Sequence, residues 1–182
     1  MSTFLLVGIV VLAFVIWIFN LLVKDRNQVL AAWSDIDVQL KRRHDLIPQL
    51  VTTVKAYADF EQATMTAVTE LRSRSEAATH LPEKAALEDE MVSAIGRLVI
   101  LAEDYPDLKA DANFGQLQSD LTEIEDHIQY ARRFYNGAVR VFNTRIQRFP
   151  NNLIAKTLRF SEAEFFEVQQ ATERQSPTVE ID

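Results

Sequence analysis

The side chains best equipped for chemistry are three histidines, His44, His80 and His127, with acids that could join them around a metal. A di-iron site in a helical bundle needs a Glu-x-x-His pair on each of two helices, so that carboxylate and imidazole share one face. Three residues before the histidines stand Lys41, Ala77 and Ile124, so the pair is missing each time. Four glycines, at 8, 96, 115 and 137, cannot build a phosphate-cradling turn, and no G-x-x-x-x-G-K-[ST], G-x-G-x-x-G or H-E-x-x-H run is present. Without cysteine there is no thiolate ligand, disulfide or thiol nucleophile. The expectation is a protein that is not an enzyme, with no catalytic residues, metal ligands, cofactor or small-molecule substrate.

Polar residues do recur at helical spacing. Arg132, Asn136, Val139, Asn143 and Ile146 advance by 4, 3, 4 and 3, a second stripe beside an apolar seam. Asp37, Arg43, His44 and Asp45 interrupt the apolar pattern of an earlier helix. A polar seam of Asp37, His44, Arg132, Asn136 and Asn143 can fix register between packed helices, at some cost in stability, or bind a partner helix. Register is the preferred reading.

The elements that must position these residues are helical. Nine Gly plus Pro among 182 residues is well below the usual share and too few for the turns of an all-β fold. Leu87, Met91, Ala94, Leu98, Leu101 and Tyr105 step by 4 and 3, as do Phe114, Leu117, Leu121, Ile124, Ile128, Ala131, Tyr135, Ala138 and Phe142. Such spacing keeps one seam against a neighbouring helix. The punctuation predicts helices over about 24–78, 83–104, 114–149 and 151–168. Pro82 and Glu83 suit a first turn, Asn113 with Gln116 resembles a capping box, and Tyr105-Pro106 and Phe149-Pro150 mark ends. Pro48 would kink or break the first helix. The tail 169–182 lacks apolar periodicity and reads as a disordered acidic segment.

One stretch is too apolar for a soluble domain. Phe4 to Val23 reads FLLVGIVVLAFVIWIFNLLV, and twenty helical residues span about 30 Å, a bilayer's hydrocarbon core. Phe4, Leu5, Val10, Trp17, Phe19 and Val23 are its anchor residues. No base precedes it, whereas Lys24, Arg26, Lys41, Arg42 and Arg43 follow. The positive-inside rule puts residues 1–3 on the extracytoplasmic side and the bundle, 24–168, in the cytoplasm.

Lengths give a further expectation. The second helix, about 33 Å long, cannot cover a first helix of about 80 Å. Residues 24–48 then form a membrane-proximal stalk whose Leu30, Trp33, Ile36, Leu40 and Ile47 need cover from a second subunit or a returning fourth helix. Charge is sorted too: residues 83–126 carry twelve acids and three bases, residues 132–159 seven bases and no acid. Pairing within one subunit or between subunits would neutralise these faces. The overall charge of −7 argues against a nucleic-acid partner.

Two blocks carry a resemblance. Residues 27–58, with WSDIDVQLKRRHDLIPQLVTTVKAYA, and residues 105–152, with paired Tyr135-Asn136 and Phe142-Asn143, resemble the two signatures of the LemA family of bacterial membrane proteins. Gln49 and Phe142 depart from the usual Asn and Tyr. The resemblance implies an all-α fold: an N-terminal transmembrane helix continuing into an antiparallel four-helix bundle with one very long first helix. It further implies a bacterial inner-membrane location and no established enzymatic activity or cofactor. Relatives in magnetosome-forming bacteria act in building internal membranes. The leading expectation is a single-pass scaffold that forms a homo-oligomer and organises or remodels the lipid bilayer. The alternative is an adaptor presenting its bundle to a membrane-protein partner such as a protease or envelope-stress component.

Overall fold

A computed structural model describes residues 1–57 and 62–166. The chain begins with α1, Ser2–Lys55, a helix of 54 residues and therefore about 81 Å. Pro48 lies inside α1 without ending it. The helix expected over 24–78 nevertheless divides further on: α1 stops at Lys55, and α2, Gln62–Ala77, returns alongside it. The return seats Met65, Val68 and Leu71 in one cluster with Ile47, Leu50 and Val54. A straight continuation would carry Met65, Val68 and Leu71 beyond this cluster and leave them bare.

Next, α3, Leu81–Leu101, has Pro82 and Glu83 in its first turn. A 3-10 turn, Ala102–Asp104, and the short α4, Pro106–Lys109, lead to α5, Ala112–Gln147. Asp111, rather than Asn113, caps α5, accepting from the backbone N–H groups of Asn113 at 2.8 Å and Phe114 at 3.0 Å. The fourth helix expected over 151–168 is only α6, Asn151–Thr157, after which residues 158–166 leave helical geometry. The expected disordered tail, 169–182, lies outside the described residues. No strand occurs among those described.

Two apolar cores lie end to end along α1. The distal core joins Ile47, Leu50 and Val54 to α2, to Leu87, Met91, Ala94 and Leu98 of α3, and to Phe114 and Leu121 of α5. The proximal core joins Val29, Ala32, Ile36 and Leu40 to Ile128, Tyr135, Ala138, Val139 and Phe142 of α5 and to Phe166. Both heptad runs thus face inward. Contacts between Arg43 and Glu125, Trp33 and Tyr135, and Asp25 and Arg145 set α5 antiparallel to α1.

The expectation of a bare stalk is corrected here. Ile36, Leu40 and Ile47 are at most 1% exposed. Trp33 is half-buried, with its ring edge-on to Tyr135 at 5.9 Å and near Phe166 at 6.1 Å. Only Leu30 remains exposed. The cover comes from α5, whose 36 residues extend about 54 Å and match the part of α1 beyond the apolar stretch. Ile36, Leu40 and Ile47 are therefore core of the single chain, with Trp33 packed at its edge.

Candidate functional site

Between the two cores lies a belt of polar side chains. Arg43 and His44 enter it from α1, Ser75 from α2, Glu88 from α3 and Glu125 from α5. Glu88 is buried and accepts from Arg43 Nη2, from His44 Nε2 at 2.8 Å and from the Ser75 hydroxyl. Arg43 Nη1 donates to Glu125 at 2.6 Å. Burial pushes the Glu88 carboxyl up, but the His44 hydrogen bond, the Arg43 charge and the Ser75 hydroxyl outweigh it and hold the group at about 2. Beside the belt, Arg132 donates to Asp89 at 3.2 Å and lies over the Phe166 ring at 4.6 Å. Burial raises the Asp89 pKa despite Arg132 and Arg43.

A second polar feature holds the segment after α6. Asn143 donates to the Ala163 carbonyl and accepts from its N–H, both at 2.9 Å. Asn136 makes the same pair with Phe166, at 3.1 and 2.9 Å, and the Tyr135 hydroxyl donates to the Glu164 carbonyl at 2.8 Å. Each amide presents the donor and acceptor that a neighbouring strand would supply. This keeps residues 163–166 out of a helix: the clamped backbone groups are not free for helical i→i+4 bonds. Burial and the Glu164 charge raise the Tyr135 pKa.

The expected polar seam is thus distributed over three settings. His44 belongs to the belt. Asn136 and Asn143 hold the segment after α6 through Phe166 and Ala163 rather than another helix, whereas Arg132 both lies over Phe166 and pairs across helices with Asp89 of α3. Asp37 is not in a seam: its side chain is exposed and reaches only Lys84, at 3.5 Å. Sequence reading missed Glu88, Ser75 and Glu125. A signal for Glu88 existed, because Lys84, Glu88, Met91 and Ile95 step by 4, 3 and 4 beside the α3 seam.

Two surfaces could meet other molecules. An open apolar groove of about 440 Å³ runs between α3 and α5, lined by Val92, Ile95, Val99 and Ile100, by Leu121 and Thr122, and by Arg43 and Glu125. On α5, Tyr130, Phe134 and Val141 stand exposed at spacings of 4 and 7. At the other end, α1 is long and apolar enough near its N-terminus to cross a membrane. Of the anchor residues, Phe4, Leu5, Val10, Trp17 and Phe19 are exposed, with Val23 half-covered. Chemically, the belt spends most of its donors and acceptors on one another, with Arg43 Nε buried and without a partner among the described residues. No group of three or more His, Asp or Glu is placed to hold a metal among the described residues.

Comparison with known proteins fits this architecture. The model of the LemA family matches residues 32–181. Protein LemA of Metamycoplasma hominis is 29% identical over 152 residues, covering 83% of this chain and 69% of the relative. Magnetosome protein MamQ 2 of Paramagnetospirillum magneticum is 26% identical over 179 residues, covering 84% and 66%. Magnetosome protein MamQ of Magnetospirillum gryphiswaldense is 24% identical with the same coverage. The chain spans about two thirds of the length of these relatives.

Proposed function

The chain belongs to the LemA family, and on that premise we propose that it is a non-enzymatic, single-pass membrane protein whose antiparallel four-helix body self-assembles into a scaffold that organises or remodels the membrane. The supporting observation is that α1 continues from the apolar stretch into the core of the body without interruption, so the body is held rigidly to whatever the span is embedded in. The names of the magnetosome relatives accord with work at a membrane. The bacterial inner membrane, with the N-terminus outside and the body in the cytoplasm, is the location this reading takes from the basic residues after the span.

With Ile36, Leu40 and Ile47 buried, self-association rests chiefly on the α5 row of Tyr130, Phe134 and Val141. Neighbours anchored in one bilayer meet at high effective concentration, so a modest apolar row is enough. Native mass of the full chain in mild detergent tests this: an oligomer is expected, and Phe134→Glu should reduce it to monomer by placing an unpaired charge in the contact. A monomeric wild type refutes the scaffold. The α3–α5 groove favours the second reading, an adaptor for a membrane-protein partner, which that outcome would support.

A further inference from the structure

The short helix α6 is placed where no soluble body would need it. Ala155 of α6 is fully buried against Ile18 and Leu22, with Ile146, Ile154 and Phe160 around it, and Phe160 meets Phe19 edge-on at 6.2 Å. Ile18 and Leu22 belong to the apolar stretch that ends at Val23. Ile18 stands five residues before that end, about 7–8 Å deeper along the axis, and interfacial helices bury their apolar faces ~5–10 Å into the headgroup and acyl boundary. Packing against Ile18 therefore sets α6 at the membrane boundary.

The side chains that α6 and its flanks turn away from α1 match that location. Phe149, Leu153 and Leu158 are 74%, 60% and 47% exposed. Residues 145–159 hold four bases and no acid. Arg145 is paired with Asp25, while Arg148, Lys156 and Arg159 are exposed, and Arg26 of α1 lines one small pocket with Arg159. Apolar side chains flanked by exposed bases, with no ion pair to these bases among the described residues, next to an apolar stretch of spanning length, suit an anionic lipid surface.

We propose that the α5–α6 elbow, residues 145–159, is a second membrane contact, wedging Phe149, Leu153 and Leu158 into the leaflet beside the span while Arg148, Lys156 and Arg159 bind anionic lipid headgroups. The proposal rests on the membrane-spanning reading of α1 and adds to it. Inserted from one side only, the elbow widens the protein's cross-section in a single leaflet, which gives a membrane-remodelling protein a means of acting on curvature.

The chain has no cysteine, so a single nitroxide label can be placed at will. The full chain is reconstituted in vesicles of phosphatidylcholine with phosphatidylglycerol, labelled in turn at Leu153→Cys, Val10→Cys in the span and Ala86→Cys on exposed α3. Collisions with oxygen, which concentrates in lipid, are compared with collisions with a water-soluble nickel chelate. The 153 label should read like the 10 label, and adding Arg148→Glu and Lys156→Glu should shift it towards the 86 label. A 153 label that reads like the 86 label while the 10 label is in lipid overturns the elbow contact and leaves the spanning reading intact. A 10 label in water overturns both. A 153 label shielded from both quenchers means that protein covers the elbow, and a 153 label in lipid that ignores the charge reversal refutes the headgroup contact.

Discussion

Glu88→Gln keeps the shape of the side chain at the centre of the polar belt and removes its charge. Arg43 then loses one of its two carboxylate partners and retains Glu125 at 2.6 Å. A carboxyl held near 2 rather than at 4.5 is worth about 3 kcal/mol of stability at neutral pH, at about 1.4 kcal/mol per tenfold change in proton affinity. Breaking one side of a buried ion pair costs ~3–5 kcal/mol, and the surviving Glu125 contact places this case at the lower end. Urea unfolding of the detergent-solubilised full chain, followed by far-UV circular dichroism, should show Glu88→Gln about 3 kcal/mol less stable at pH 7. The sign of the pH dependence follows from the depressed pKa. The Glu88 contribution is complete above about 4.5 and is lost as pH falls towards 2, so the gap between wild type and variant should close over that window. Replacing both Arg43 and Glu88 by Met removes the two buried charges together but leaves Glu125, His44 and Ser75 without their partners, so it should recover only part of the loss. A Glu88→Gln variant within about 1 kcal/mol of wild type at pH 7, or a gap that stays constant down to pH 2, would refute the belt as a source of stability.

Leu40→Ala should cost ~2–5 kcal/mol in the same unfolding assay without changing native mass, because Leu40 packs within one chain; a loss of oligomer at unchanged stability would return it to a subunit interface. Asn143→Leu strands the Ala163 backbone groups, so it should cost ~1–3 kcal/mol and speed proteolysis after α6, whereas wild-type cleavage rates would place the clamp outside the folded body. A reporter fused after Asp182 should behave as cytoplasmic, and cleavage of that end by protease added outside intact spheroplasts would reverse the orientation.

Helix content and the inward faces of α3 and α5 were legible because they depend on spacing, which is local. What the sequence hid was pairing. The stalk looks bare when only the lengths of the first and second helices are set against each other. At 36 residues, the third was already long enough to reach the membrane and supply the cover. The division of the first long helix was hidden for a related reason: the apolar spacing of Met65 and Val68 fits a straight heptad and a reversed helix equally, and only the partner distinguishes them. Asn136 and Asn143 were recognised as polar residues on an otherwise inward stripe. Their targets, backbone groups 20 and 30 residues away, carry no side-chain signature at all.

The sorted charge of the chain gains a physical meaning once its helices are laid along α1. Because α5 runs antiparallel to α1, its acidic start lies beside the distal core and its basic end beside the span. From Ile18 to Val54 is 36 residues of helix, about 54 Å. At physiological ionic strength the Debye length is about 8 Å, so acids at the distal end are several screening lengths from any charged surface at the span. The charge of −7 is thus an average over two ends that do not see the same surroundings. At the near end, among the described residues, Arg148, Lys156, Arg159 and the bases flanking Asp25 outnumber the one acid beside them, Glu162. Arg132 is neutralised by Asp89 within the body, and Arg145 by Asp25. A negatively charged protein can in this way present a positive face to an anionic leaflet, and the same sorting disfavours approach of the acidic end, which biases α1 towards standing upright.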